Sequence, residues 1–138
     1  MKQQTPPLKV IERLYELFLK MVALFLMFYC LRYWAQIVGV YEGEIYRFDT
    51  MPDYWKVVVS VLAVLMPVAA LGLWGAFAWG VVIWVLVIAV EVVMYFGYPN
   101  LFGSAPAILL FHCACIATYL LFRIMYLITA KRRDAAAQ

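Results

Sequence analysis

Apolar residues form four long runs along the chain, separated by short polar or turn-rich segments. The runs cover residues 21–40, 57–73, 76–96 and 107–128. Each is close to the ~20 apolar residues that carry a helix across the ~30 Å hydrocarbon layer of a bilayer. The pattern therefore predicts four transmembrane helices. Because their connections are short, we expect them to pack as an antiparallel bundle.

The residues before the first run follow an amphipathic pattern. Over residues 8–20, charged side chains recur at helical spacing on one face, and mainly apolar side chains occupy the other. This predicts an interfacial helix that continues into the first span. A cleaved signal peptide is the competing interpretation, but the apolar run is too long and no small-x-small cleavage site follows it. The predicted fold is an all-α integral membrane protein, with residues 1–138 in a single membrane domain.

Composition agrees with a protein that has the bilayer as its solvent. The chain is 68% hydrophobic and 14% charged, and a soluble domain of this length cannot bury so much apolar surface. Its basic residues are few and flank the apolar runs instead of forming a dense patch, which argues against nucleic-acid binding. The first expected partner is therefore the lipid bilayer.

The distribution of basic residues predicts the orientation of the spans. Only Arg47 and Lys56 lie in the loop 41–56, which is otherwise acidic and aromatic. By the positive-inside rule, both termini are predicted to be cytoplasmic and this loop to face outward, in a multi-pass protein of the inner (plasma) membrane. The basic residues on the terminal side are Lys2, Lys9, Arg13, Lys20, Lys131, Arg132 and Arg133.

Charged or titratable side chains inside the spans are the most informative residues, because each is costly in hydrocarbon unless it is paired. Arg32, Glu91 and His112 fall at similar depths in the outer half of the first, third and fourth runs. We therefore predict that they form a buried cluster. One interpretation is structural, with polar contacts holding the bundle together. The other is a proton-titrating or ligand-binding site.

The fourth run carries a polar seam that begins in the stretch FHCACIATYLLFR and continues to Tyr126. At about 100° per residue, the polar side chains of this run fall near one line on the helix. We expect the seam to face protein, with Arg123 near the cytoplasmic end as an interfacial anchor or a partner of Glu16. Its members are His112, Cys115, Tyr119, Arg123 and Tyr126.

The same stretch resembles a metal motif, but helical geometry argues against one. Cys113 and Cys115 lie about 200° apart around a helix and cannot converge on one ion. The chain has one histidine and three cysteines, too few to complete a zinc site around His112. No cofactor is therefore predicted, although haem ligation by His112 stays a minor alternative.

Four motifs together resemble a known protein family. They are LRYWAQIVG, GLWG, EVVMYFGYPNLFG and FHCACIATYLLFR. In combination they resemble a family of small four-pass membrane proteins from alphaproteobacteria, which is a domain of unknown function. The resemblance implies the fold and brings no assigned activity.

The sequence shows no catalytic set, so an enzyme is not predicted. The leading hypothesis is a non-enzymatic accessory or scaffolding subunit, bound to a larger membrane protein or to further copies of itself. A small oligomeric transporter or proton-coupled channel that uses Arg32, Glu91 and His112 is the alternative. A quinone- or haem-linked redox subunit is a third possibility.

Overall fold

The computed structural model describes residues 6–44 and 46–136. It contains five α-helices and one π-helical turn. Lys2, which entered the charge distribution above, lies outside the described residues. The α-helices are α1 (Pro6–Val38), α2 (Asp53–Trp74), α3 (Ala78–Val92), α4 (Pro99–Phe102) and α5 (Pro106–Ala136), and the π-helix covers Val93–Gly97.

Four helices are long and apolar enough to cross a membrane. Their candidate spans are Leu8–Val38, Asp53–Trp74, Ala78–Gly97 and Pro106–Ala136. Each reaches the ~20 residues that a bilayer crossing needs. The prediction of an all-helical chain with four long apolar helices is therefore confirmed for the described residues.

The helices extend beyond the apolar runs where polar residues favour their ends. α2 begins at Asp53, ahead of the predicted residue 57, and Asp53 lies in its first turn. α5 continues to Ala136 instead of ending at Ile128, and Arg133 lies in its last turn. An acidic residue at a helix start and a basic residue at its end both interact favourably with the helix dipole. Hydropathy alone does not register these extensions.

The long helices share one core built mainly from α1, α2 and α3. α1 packs along α2, and α2 packs along α3. Near the α2–α3 turn, the two helices approach so closely that a Cβ added to Gly80 would lie 2.6 Å from the backbone nitrogen of Leu73. Glycine at this position is required by the close approach. The indole of Trp34 adds a hydrogen bond of 3.1 Å to the carbonyl oxygen of Ala63 in α2.

α5 lies at the edge of this core. It packs mainly against α1 and touches α3 much less. Only His112 and Cys115 of its side chains are buried. In its most apolar stretch 11% of residues are buried, compared with 44% in α2. Most of the α5 surface therefore faces outward from the chain.

Candidate functional site

Glu91 and His112 form a buried hydrogen-bonded pair between α3 and α5. The His112 Nε2 atom contacts the Glu91 Oε2 atom. The side chain of Glu91 is 0% exposed and that of His112 is 2% exposed. A hydrogen bond between these atoms needs one shared proton, carried by either the imidazole or the carboxyl group. The pair can therefore hold a proton away from solvent.

Tyr33 of α1 joins this pair. Its hydroxyl donates to the Glu91 Oε1 atom over 3.4 Å, and its side chain is 2% exposed. Both carboxylate oxygens of Glu91 thus have a partner, one from α1 and one from α5. The three residues bring three helices together at one polar point, which we call the Tyr33–Glu91–His112 cluster.

Arg32, the third residue of the predicted cluster, is placed elsewhere. Its side chain is exposed, and within residues 6–44 and 46–136 it forms no ion pair. Its guanidinium carbon lies 6.0 Å from the centroid of the Tyr29 ring. The difference arises because neighbouring residues on a helix point about 100° apart, so that Tyr33 faces the core and Arg32 does not.

Sequence reasoning missed Tyr33, although a signal for it exists. From Leu19 onward, the buried residues of α1 recur at steps of three or four, apart from the adjacent pair Val22 and Ala23, and this is the spacing of one helix face. Extending this spacing from Leu26 and Cys30 reaches Tyr33 and then Gln36, and it passes over Arg32. The buried side chains on this face are Leu19, Val22, Ala23, Leu26, Cys30, Tyr33 and Gln36.

Some polar atoms around the cluster have no hydrogen-bond partner in the described part of the chain. They include His112 Nδ1 in the cluster and Tyr29 Oη beside Tyr33. A buried polar atom without a partner typically costs about 1–3 kcal/mol. The imidazole of His112 has a partner at Nε2 but none at Nδ1 among the described residues. Its Nδ1 atom can therefore accept or donate a further hydrogen bond.

The polar seam of α5 divides into an inner and an outer part. Cys115 is buried, and the ring of Tyr119 lies 6.0 Å from that of Tyr15 and 6.3 Å from that of Trp84. Arg123 and Tyr126 are exposed and line a cavity of about 150 Å³ at the opposite end of α1 from Val38. The inner seam thus faces protein, whereas Arg123 forms no ion pair with Glu16.

A family profile matches residues 13–130, which is most of the chain. The chain belongs to a family of unknown function, DUF6163. No curated protein matches the sequence, and no solved structure matches it. The matched range includes all three members of the Tyr33–Glu91–His112 cluster and the whole polar seam of this DUF6163 protein. The family adds no activity to the geometry.

The cysteines of this DUF6163 protein lie on different sides of their helices. Cys113 is exposed, whereas Cys30 and Cys115 are buried. Across the described ranges, no three His, Cys, Asp or Glu side chains come together as a group that could hold a metal ion. The chemistry available at the cluster is proton exchange between a carboxyl group, an imidazole and a phenol.

Proposed function

We propose that this DUF6163 protein is an integral membrane protein whose four long helices cross the bilayer as an antiparallel bundle. Ring contacts between α1 and α5 support opposite directions. Tyr15 lies 6.0 Å from Tyr119, and further along α1 the ring of Phe25 lies 4.0 Å from that of Phe111. The membrane would be the bacterial inner membrane, as the resemblance to alphaproteobacterial proteins implies.

The charges at the two ends of the bundle support cytoplasmic termini. On the loop side, Arg47 is paired with Asp49 at 2.8 Å and Lys56 with Asp53 at 3.1 Å. The positive-inside rule counts Lys and Arg residues, and the loop 41–56 holds only these two. The terminal side carries the larger number of basic residues, as the positive-inside rule requires for cytoplasmic ends.

Within this membrane protein we propose a non-enzymatic accessory or scaffolding role. The observation that carries the proposal is the position of α5, which buries only two of its side chains in its own chain. The Tyr33–Glu91–His112 cluster fixes α5 to the core at one polar point. The remaining face of α5 is left to contact a helix of a membrane partner or of a second copy.

The native thiol of Cys113 provides a direct test, because it is the exposed cysteine on this face. A thiol-linked photo-crosslinker placed there in inner-membrane vesicles should give one discrete product. Cys113→Ser should abolish that product. A matched control moves the thiol to an exposed site on α1 by adding Phe28→Cys to Cys113→Ser, since Phe28 is 72% exposed. Recovery of the monomer alone, or the same products from both sites, would contradict the proposal.

A second candidate function is proton-linked transport by an oligomer. The observation in its favour is the fully buried Glu91–His112 pair, whose imidazole has a free Nδ1 atom within the described chain. Reconstituted wild-type protein should then support a proton flux into vesicles that is lost in Glu91→Gln. Equal flux in this variant would remove Glu91 from any such pathway.

A further inference from the structure

Two adjoining cavities open where α1 ends and α2 begins. The inner cavity has a volume of about 310 Å³, and the outer cavity has a volume of about 380 Å³. Arg32, Gln36 and Tyr46 line both cavities. Each has the size of a site for a small ligand.

Three polar side chains that line these cavities have groups that are not paired with one another. Gln36 is 3% exposed, and its Oε1 atom is buried with no hydrogen-bond partner among the described residues. Arg32 has no carboxylate partner there. Glu42 lines the 380 Å³ cavity with Arg32, but the two residues do not form an ion pair. The cavities thus offer a cation, an acceptor oxygen and a separate anion.

This set of groups complements a ligand that carries both charges. A guanidinium binds a phosphate through two parallel hydrogen bonds. The acceptor oxygen of Gln36 and the carboxylate of Glu42 both suit an N–H donor. The rings of Tyr41 and Tyr46, which also line the outer cavity, favour a cation such as an ammonium group.

The inner cavity adds an apolar lining. Trp55, Tyr95, Leu101 and Phe102 lie around it. Such side chains suit the glycerol and first methylene groups of a lipid. Arg32 lies six residues before the end of α1 at Val38, about 9 Å along the helix axis at ~1.5 Å per residue. With the membrane placement proposed above, this depth lies below the phosphates of the outer leaflet, and the long side chain of Arg32 can extend outward to reach them.

We propose that these cavities bind a zwitterionic ligand in which a phosphate is linked to an ammonium group, namely the headgroup of phosphatidylethanolamine. The phosphate contacts Arg32, and the ammonium group lies toward Gln36 and Glu42. Free phosphoethanolamine carries the same two charges, so the experiment must separate these two sources. The assignment of a lipid rests on the proposed membrane placement.

Native mass spectrometry of the delipidated full-length protein in detergent tests the site. The probes are short-chain phosphatidylethanolamine, short-chain phosphatidylglycerol and free phosphoethanolamine. We expect phosphatidylethanolamine to bind about tenfold or more tightly than phosphatidylglycerol, as one charge-assisted hydrogen bond would give. Arg32→Gln should weaken its binding by a similar factor, and Glu42→Gln should reduce it to the level of phosphatidylglycerol.

Arg13→Gln is the matched control, because Arg13 is an exposed arginine at the other end of the same helix. Unchanged binding in Arg32→Gln, or equal binding of the two lipids by the wild type, would overturn the proposal. Free phosphoethanolamine binding as tightly as the lipid would overturn the lipid as the source. If Arg32→Gln does not fold, Glu42→Gln still decides, because Glu42 lies exposed outside the helices. A negative cross-link at Cys113 would leave this result unaffected, since the assay needs no partner.

Discussion

The Glu91–His112 pair offers the sharpest test of the fold. Both side chains are essentially inaccessible, so replacing only one of them leaves the other buried without its partner. Leaving a buried hydrogen-bonding group without its partner typically costs about 1–3 kcal/mol, and about 3–5 kcal/mol if that group is ionised. Glu91→Leu also removes the acceptor of the Tyr33 hydroxyl. A buried hydroxyl that loses its partner contributes about 1–3 kcal/mol to the cost of this variant.

The double variant Glu91→Leu, His112→Phe should be much more stable than the sum of the single variants implies. It removes both polar groups together, and the Tyr33 hydroxyl is the group that newly loses its partner. We therefore expect a coupling free energy of at least about 2 kcal/mol between the two sites. Ordinary side-chain hydrogen bonds between transmembrane helices average only about 0.6 kcal/mol in such cycles, so the two cases can be separated.

The free energy of unfolding can be measured in detergent by titration with dodecyl sulfate, with helix content followed by far-ultraviolet circular dichroism. Cys113→Ser, on the exposed face of the same helix, is the matched control and should be close to neutral. Single variants that cost less than about 1 kcal/mol, or an additive double variant, would refute the buried pair as a main contact between α3 and α5.

Three further predictions concern the core, the α2–α3 turn and the cysteines. Gly80→Ala should destabilise the protein by about 1–3 kcal/mol in the same titration, because the added Cβ would lie 2.6 Å from the backbone nitrogen of Leu73. Gly97→Ala is the control, because the nearest atom to a Cβ added there is 3.9 Å away. Ala76→Gly should stabilise by about 1 kcal/mol, since Ala76 has a φ of 53° that alanine adopts at a cost; an unchanged or lower stability would contradict this. A lipid-soluble maleimide should label Cys113 in the folded protein and Cys30 and Cys115 only after unfolding, as mass spectrometry of peptides can show.

The sequence predicts the helices of this chain much better than their contacts. Helix existence follows from runs of apolar residues, whose length alone matches a bilayer crossing. Helix ends depend on single residues such as Asp53 and Arg133, which stabilise terminal turns by interaction with the dipole. A hydropathy pattern averages over these residues. It therefore places the start of α2 too late and the end of α5 too early.

The identity of the third cluster residue depends on the direction of its side chain, which depth along the helix does not give. Depth in the membrane places Arg32 and Tyr33 in the same layer, and the cost of a buried charge favours Arg32 as the partner of Glu91. The direction of each side chain is set by the packing of α1 against α2 and α5, which turns Tyr33 inward and leaves Arg32 exposed. The cavities at Arg32 and Gln36 combine three distant segments, so no local pattern predicts them.

In the proposed function, the exposed face of α5 holds this protein in a larger membrane assembly. The most direct measurement is the mass of the particle extracted from native membranes in polymer nanodiscs without detergent. We expect a protein mass of at least two chains, in which this 15.9 kDa chain is joined by further copies of itself or by a distinct membrane protein. A particle with one 15.9 kDa chain and lipid alone would contradict it.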